Sequence, residues 1–178
     1  MSDTDVVKSY SSAFRLGLHM DNIEDNYVFE GRMFSAYVVS GAIASLGTYD
    51  LGILTGSSTA IYIPATVTTS SDSVTISVQE GAVVTGGTPV VITNRNRQST
   101  ISSKVTLVAA PTVSNAGTLV SSSFIGGVAG NPQSRQGGTE SSGNKMVLKP
   151  NTQYLLRFTN GSTAVNTIHV KMEWIENV

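Results

Sequence analysis

The chain of 178 residues contains no cysteine. That excludes any disulfide and any thiolate metal site. It fits assembly in a reducing cytosol, although many exported bacterial proteins lack cysteine too. Charge is sparse, at 13% of residues with a net of −1. Such a chain carries no basic surface to neutralise phosphates, so nucleic acid is not an expected partner. No apolar run approaches the ~18 residues of a spanning helix, and no membrane is expected as a partner. The acidic start Met1-Ser2-Asp3-Thr4-Asp5 is followed by no apolar stretch, so no signal peptide is expected. Histidine is nearly absent, with only His19 and His169, and aromatic residues make up 7%.

The commonest residues are Ser, Val, Thr and Gly. That mixture favours strands and turns over helices. The length suits one domain with a proper core. The clearest pattern lies at the C-terminal end. Leu156 and Phe158 alternate with Leu155, Arg157 and Thr159, and Ile168, Val170, Met172 and Trp174 alternate with His169, Lys171 and Glu173. A period of two means strands with one buried and one wet face.

Further strands are expected over residues 27–39, 49–55, 60–67, 73–80, 89–94, 104–109, 117–125 and 145–148. Turn residues such as Gly56-Ser57-Ser58, Gly86-Gly87 and Asn115-Ala116-Gly117 separate them. Many short strands at this spacing point to an all-β sandwich or barrel. The one helix expected spans residues 39–46, weakened by Gly41. Residues 1–25 read as an N-terminal arm and residues 26–178 as the β-domain. Residues 126–144 lack any pattern and are too long for an idle connection, so they form either a mobile surface loop or a segment ordered by a partner.

Register adds a constraint. Leu156, Phe158, Ile168, Val170, Met172 and Trp174 are all even-numbered. A two-residue Asn160-Gly161 turn would put Phe158 opposite Thr163, on the wrong face. Either the connection has an odd number of residues, or the two strands lie in opposite sheets and never pair.

Reactive side chains do not converge. His169 sits on the wet face of its strand, as a surface histidine does. Asp21, Glu24 and Asp25 lie near His19, but a solvated acidic turn accounts for them. No serine lies in a Gly-x-Ser-x-Gly elbow. The segment 81–88 has glycines but no Gly-Lys-Ser/Thr ending, so it reads as strand–turn–strand and not as a phosphate loop. No catalytic, cofactor-binding or metal-ligating residue is expected. Two candidate partner contacts remain. Phe14, Leu16 and Leu18 alternate along the arm, which forms either a first strand or an arm docked on a neighbouring subunit. Arg95 and Arg97, within Asn94-Arg95-Asn96-Arg97-Gln98, could clamp a neighbour's carboxylate if they sit on a strand, or lie in an exposed loop.

Leu148-Lys149-Pro150-Asn151-Thr152, followed by Tyr154-Leu155-Leu156-Arg157 and Thr159-Asn160, and the closing Glu173-Trp174-Ile175-Glu176 resemble small structural proteins of tailed bacteriophages. Gly87-Thr88-Pro89 and Asn94-Arg95-Asn96-Arg97 resemble the middle of the same proteins. The resemblance covers about the last two-thirds of the chain, and residues 1–25 have no part in it. It implies a head decoration (cement) protein with a jelly-roll-like fold and no catalytic residues. It also implies a place on the capsid surface of the virion after synthesis in the host cytoplasm. The partners would be the major capsid protein and other copies of the chain, as a trimer rather than a dimer, since a subunit at a local symmetry point of a shell tends to share that symmetry. The competing reading is a tail fibre or receptor-binding β-domain. Such a domain would want exposed aromatics on loops, whereas most aromatics here fall in expected strands.

Overall fold

The computed structural model describes residues 23–57, 60–69, 73–126 and 145–177. The arm residues Phe14, Leu16 and Leu18, His19 and Asp21, and nearly all of the 126–144 loop lie outside the described residues.

The domain is an all-β sandwich preceded by a short helix. Helix α1 (Ile23–Phe29) leads into β1 (Met33–Val39), β2 (Thr48–Leu54), β3 (Ala60–Thr69) and β4 (Ser73–Glu80). Short strands follow: β5 (Val83–Thr85), β6 (Thr88–Pro89), β7 (Ile92–Asn94), β8 (Thr106–Ala109) and β9 (Thr112–Asn115). The long β10 (Thr118–Gly126) precedes β11 (Met146–Leu148), β12 (Gln153–Asn160) and β13 (Ile168–Glu176).

Sheet one has the order β11-β3-β13-β1-β7, and sheet two has the order β10-β4-β12-β2-β8-β6. All pairings are antiparallel. The chain changes sheet at every step from β1 to β4, and again from β10 to β13. Thus β12 and β13 belong to opposite sheets and do not pair, which is the second of the two arrangements allowed by their common parity. Each is instead the central strand of its own half: β12 lies between β4 and β2, and β13 between β3 and β1.

The core fills the space between the sheets. Ile168, Val170, Met172 and Trp174 from sheet one join one buried cluster with Leu51, Val74, Ile76, Leu156 and Phe158 from sheet two. Trp174 stacks on its cross-strand partner Phe34, with ring centroids 6.2 Å apart. The parity of the two strands carries on past their apolar stripes. Asn160 follows Phe158 inward and Glu176 follows Trp174 inward, and both are fully buried.

Three sequence expectations need correction. Residues 39–46 are not helical. They leave β1 as an irregular connection in which Ile43 bridges Asn166 in both directions. Gly41 and the β-branched Val38-Val39 pair disfavour helix there. Conversely, the acidic stretch expected to be a turn begins α1, with Glu24 and Asp25 in its first turn, where they complement the helix dipole. The strand expected from residue 27 therefore starts only at Met33. A Schellman turn ends the helix: Arg32 N donates to Tyr27 O at 2.9 Å and Gly31 N to Val28 O at 3.0 Å. Gly31 sits at φ 71°, and a Cβ there would collide with Ser99.

The third correction concerns Leu155, expected on a wet face but fully buried. The paired strands β5 and β9 lie over the outer face of sheet two. There Ala82, Val84 and Leu155 form a second small core, with Val113 and Ala116 against it. Leu155 is paired with Gly52, and a Cβ on Gly52 would lie 2.9 Å from Val84. The glycine is what lets the ribbon approach the sheet.

Candidate functional site

The residues singled out by the sequence fall at three places on the sandwich. The first is the turn after β7. Asn94 and Asn96 both act as local caps: Asn94 Oδ1 accepts from Asn96 N at 2.8 Å, and Asn96 Oδ1 from Gln98 N at 3.0 Å. Their amide groups also reach outward from the turn. Asn94 Nδ2 donates to Gly31 O at 2.8 Å and to Ile101 O at 3.0 Å, while Asn96 Nδ2 donates to Phe29 O at 2.9 Å. The two asparagines thus tie this turn to the end of α1. The two arginines lie in an exposed turn and not on a strand, so the spacing of two does not align them. Arg95 pairs within the chain, with Glu173 on β13. Lys171 shares that carboxylate at 3.2 Å. Arg97 is exposed and has no ion pair among the described residues.

The second place is the corner entering β12, where Pro150-Asn151-Thr152 sits. Asn151 adopts φ 50°, the left-handed conformation that asparagine tolerates. Buried Thr55 clamps the turn: its hydroxyl donates to Lys149 O at 2.6 Å and accepts from Thr152 N at 2.9 Å. Beside it, the Tyr154 hydroxyl accepts from Lys149 N at 2.9 Å and donates to Glu80 Oε2 at 3.0 Å. Lys149 Nζ donates to the other Glu80 oxygen at 2.6 Å. The hydrogen bonds from Lys149 and then Tyr154 hold the Glu80 carboxyl below its ordinary pKa. Glu80 in turn raises the pKa of Lys149, and burial raises that of Tyr154. Further along the same strand, Arg157 grips its cross-strand neighbour Asp50 with two bonds of 2.8 Å. That pairing raises the Arg157 pKa.

The third is the C-terminal end of β13. The buried Glu176 carboxylate accepts from Trp174 Nε1 at 2.7 Å, from Lys104 N at 2.8 Å and from the Ser103 hydroxyl. It fastens the 95–105 loop to the sheet. Arg32 Nε donates to Glu176 O at 3.0 Å, closing the same end. Glu176 and Asn160 entered the sequence reading only as part of the phage resemblance, and their burial was not expected, though continuing the even-numbered stripes by one step reaches both. Asn160 Nδ2 donates to Ala44 O at 2.9 Å and Ala164 O at 2.8 Å, and Asn160 Oδ1 accepts from Ser162 N at 3.0 Å.

All three constellations are structural clamps. Among the described residues no group of three or more His, Asp or Glu side chains could hold a metal ion. Glu24 is held by Lys145, and Asp25 is exposed. His169 lies on the exposed face of sheet one, its Nδ1 2.6 Å from the Tyr37 hydroxyl. A groove of about 340 Å³ beside β7 is lined by Phe34, Ile92, Asn94 and residues 99–103. Half of its lining residues bear a hydroxyl, and none carries a charge to orient a ligand. Exposed apolar groups are more prominent: Phe124 is 67% exposed, Tyr37 60% and Phe29 49%.

Compared with known proteins, the chain matches no family model, no curated protein and no solved structure.

Proposed function

We propose that the chain is a non-enzymatic virion structural protein that binds the outer surface of a phage head and stabilises contacts between capsid subunits. The observation that carries this reading is the winding of the sandwich. The strand orders β1-β13-β3-β11 in one sheet and β2-β12-β4-β10 in the other, with the chain alternating between sheets, support a jelly-roll reading. Jelly rolls recur in viral capsid and lectin domains. The residues that carry the phage resemblance sit at the clamps of this winding: Pro150, Asn151 and Thr152 at the corner into β12, and Trp174 and Glu176 at the end of β13.

The physics of such a role is direct. A shell under internal pressure fails at subunit junctions, and a rigid β-domain bridging a junction adds buried area without disturbing the lattice. The partners are the major capsid protein and other copies of this chain, and no cofactor is needed. Phe14, Leu16, Leu18 and Arg97 are the contacts proposed toward a partner, whereas Arg95 is engaged with Glu173.

The test is sedimentation of intact particles. The protein is expected to travel with filled heads at a fixed ratio to the major capsid protein, and to remain on heads stripped of tails. Recovery only with tails would favour the second reading, a tail fibre or receptor-binding domain. One observation supports that alternative: Tyr37 and Phe124 lie in strands yet are largely exposed, so a strand position does not exclude a stacking role for an aromatic ring. Recovery only in the soluble fraction would overturn both.

A further inference from the structure

The sandwich has four strand edges, and they are treated very differently. On sheet one the edges are β7 and β11, of three residues each. On sheet two one edge is β6, of two residues, one of them Pro89. Short edges and proline are the usual protections against a sheet adding further strands. The fourth edge is β10. It runs for nine residues, Thr118-Leu119-Val120-Ser121-Ser122-Ser123-Phe124-Ile125-Gly126, without a charge or a proline. One side pairs with β4, regularly from Ser121 to Gly126 and with a bulge at Val120, and among the described residues no strand pairs with the other side. Leu119 and Phe124 are 58% and 67% exposed.

We infer that β10 is a homotypic docking edge, and that its occupant is β10 of a second copy, running antiparallel across a twofold axis. Absence of charge at the centre of the strand is the condition that self-pairing imposes. A twofold contact brings the residues at and beside the axis close to their own copies, so a Lys or Asp there would meet a like charge, and the centre of β10 is Ser121-Ser122-Ser123. A different partner would impose no such condition and could be matched by opposite charge.

Centring the contact on the run Ser121-Ser122-Ser123 places the axis at Ser122. Ser121 then faces Ser123 of the other copy. Serines opposite serines can hydrogen-bond. The two six-stranded sheets become one continuous sheet. The inference stands apart from the virion reading, and it makes the solution species a dimer, where shell symmetry had suggested a trimer.

The absence of cysteine provides the test, because a single introduced thiol has no competitor. Directly opposed residues of an antiparallel pair have Cα atoms about 4.5–5.5 Å apart, within disulfide reach. Purified Ser122→Cys protein under mild oxidation is expected to form a covalent dimer roughly a hundredfold faster than Thr68→Cys, an exposed position on sheet one. Pairing raises the effective thiol concentration from about ten micromolar to about millimolar. Light scattering of the wild type is expected to give a dimer mass, halved in Ser122→Lys with an unchanged circular dichroism spectrum. A wild-type mass of monomer or trimer overturns the inference, as does equal cross-linking of the two thiol variants. Should Ser122→Lys fail to fold, the cross-linking comparison decides alone. Each of these outcomes is read on isolated protein and leaves the particle sedimentation result independent.

Discussion

Glu176 and Trp174 show how much a single position can hold at the closed end of the sandwich. Trp174 fills the core against Phe34, so Trp174→Ala is expected to cost about 3–5 kcal/mol. Glu176→Ala removes no apolar packing but leaves Trp174 Nε1 and Lys104 N without their acceptor. Each abandoned buried donor costs about 1–3 kcal/mol, so a loss comparable to that of the tryptophan variant is expected in chemical denaturation. A near-wild-type midpoint for either variant would show that the end is held by something else. Glu80 makes a different, pH-dependent contribution. Its bonds to Lys149 and Tyr154 depress its pKa in the folded state. The stabilisation is therefore present above the ordinary carboxylate range and lost as pH falls through the depressed value. The melting-temperature gap between wild type and Glu80→Gln is expected to be open at neutral pH and to close in acid. A gap independent of pH would mean that charge has no part in it. At this scale the apolar stripe was legible because period two is a geometric necessity of a strand. The burial of Glu176 and Asn160 was not expected because polarity reads as exposure until a partner is known, and some of their partners, Lys104 and Ala44, come from segments far away in the chain.

Elements follow from local rules only as far as those rules are not overridden by neighbours. β4 was read with its observed bounds because Val74, Ile76 and Val78 alternate cleanly with polar residues. β9 was missed, since Thr112–Asn115 has no apolar alternation of its own and gains strand structure only by pairing with β5. The same ribbon turned Leu155 from an expected surface residue into a buried one. Helix α1 was missed because seven residues are too few to show a helical period, and most of its definition lies in the cap. That cap is testable. Gly31→Ala forces a side chain into a left-handed conformation and against Ser99. The conformation alone costs about 1–2 kcal/mol, so a loss of at least that size is expected in thermal or chemical denaturation. An unchanged midpoint would show that the helix end shifts freely and does not constrain the 95–105 loop.

For the molecule as a whole, the opposition of two sheets was foreshadowed by parity, because β12 and β13 carry the same odd–even register and could not pair through a two-residue turn. The exposed edge β10 had no such signal: an uncharged strand reads the same whether it is central or at the rim, and only the sheet order distinguishes them. Likewise Arg95 and Arg97 were legible as a polar cluster, but the asparagine caps that make it a turn depend on the carbonyls of Gly31, Phe29 and Ile101. The remaining question at this scale is what anchors the domain to its partner. Apolar residues at alternate positions, Phe14, Leu16 and Leu18, suit an added strand, a docking mode in which backbone bonds give affinity with little demand on sequence. Deleting residues 1–20 separates the possibilities, since α1 begins only at Ile23 and its cap at Gly31 is untouched. The expected outcome is a truncated protein that keeps the β-rich circular dichroism of the parent, yet no longer sediments with particles. Failure to fold would make residues 9–18 a strand of the domain's own sheet. Normal folding with normal binding would remove the arm from consideration and leave the glycine-rich 126–144 segment as the anchor, a result that a second deletion there would then have to reproduce as loss of binding.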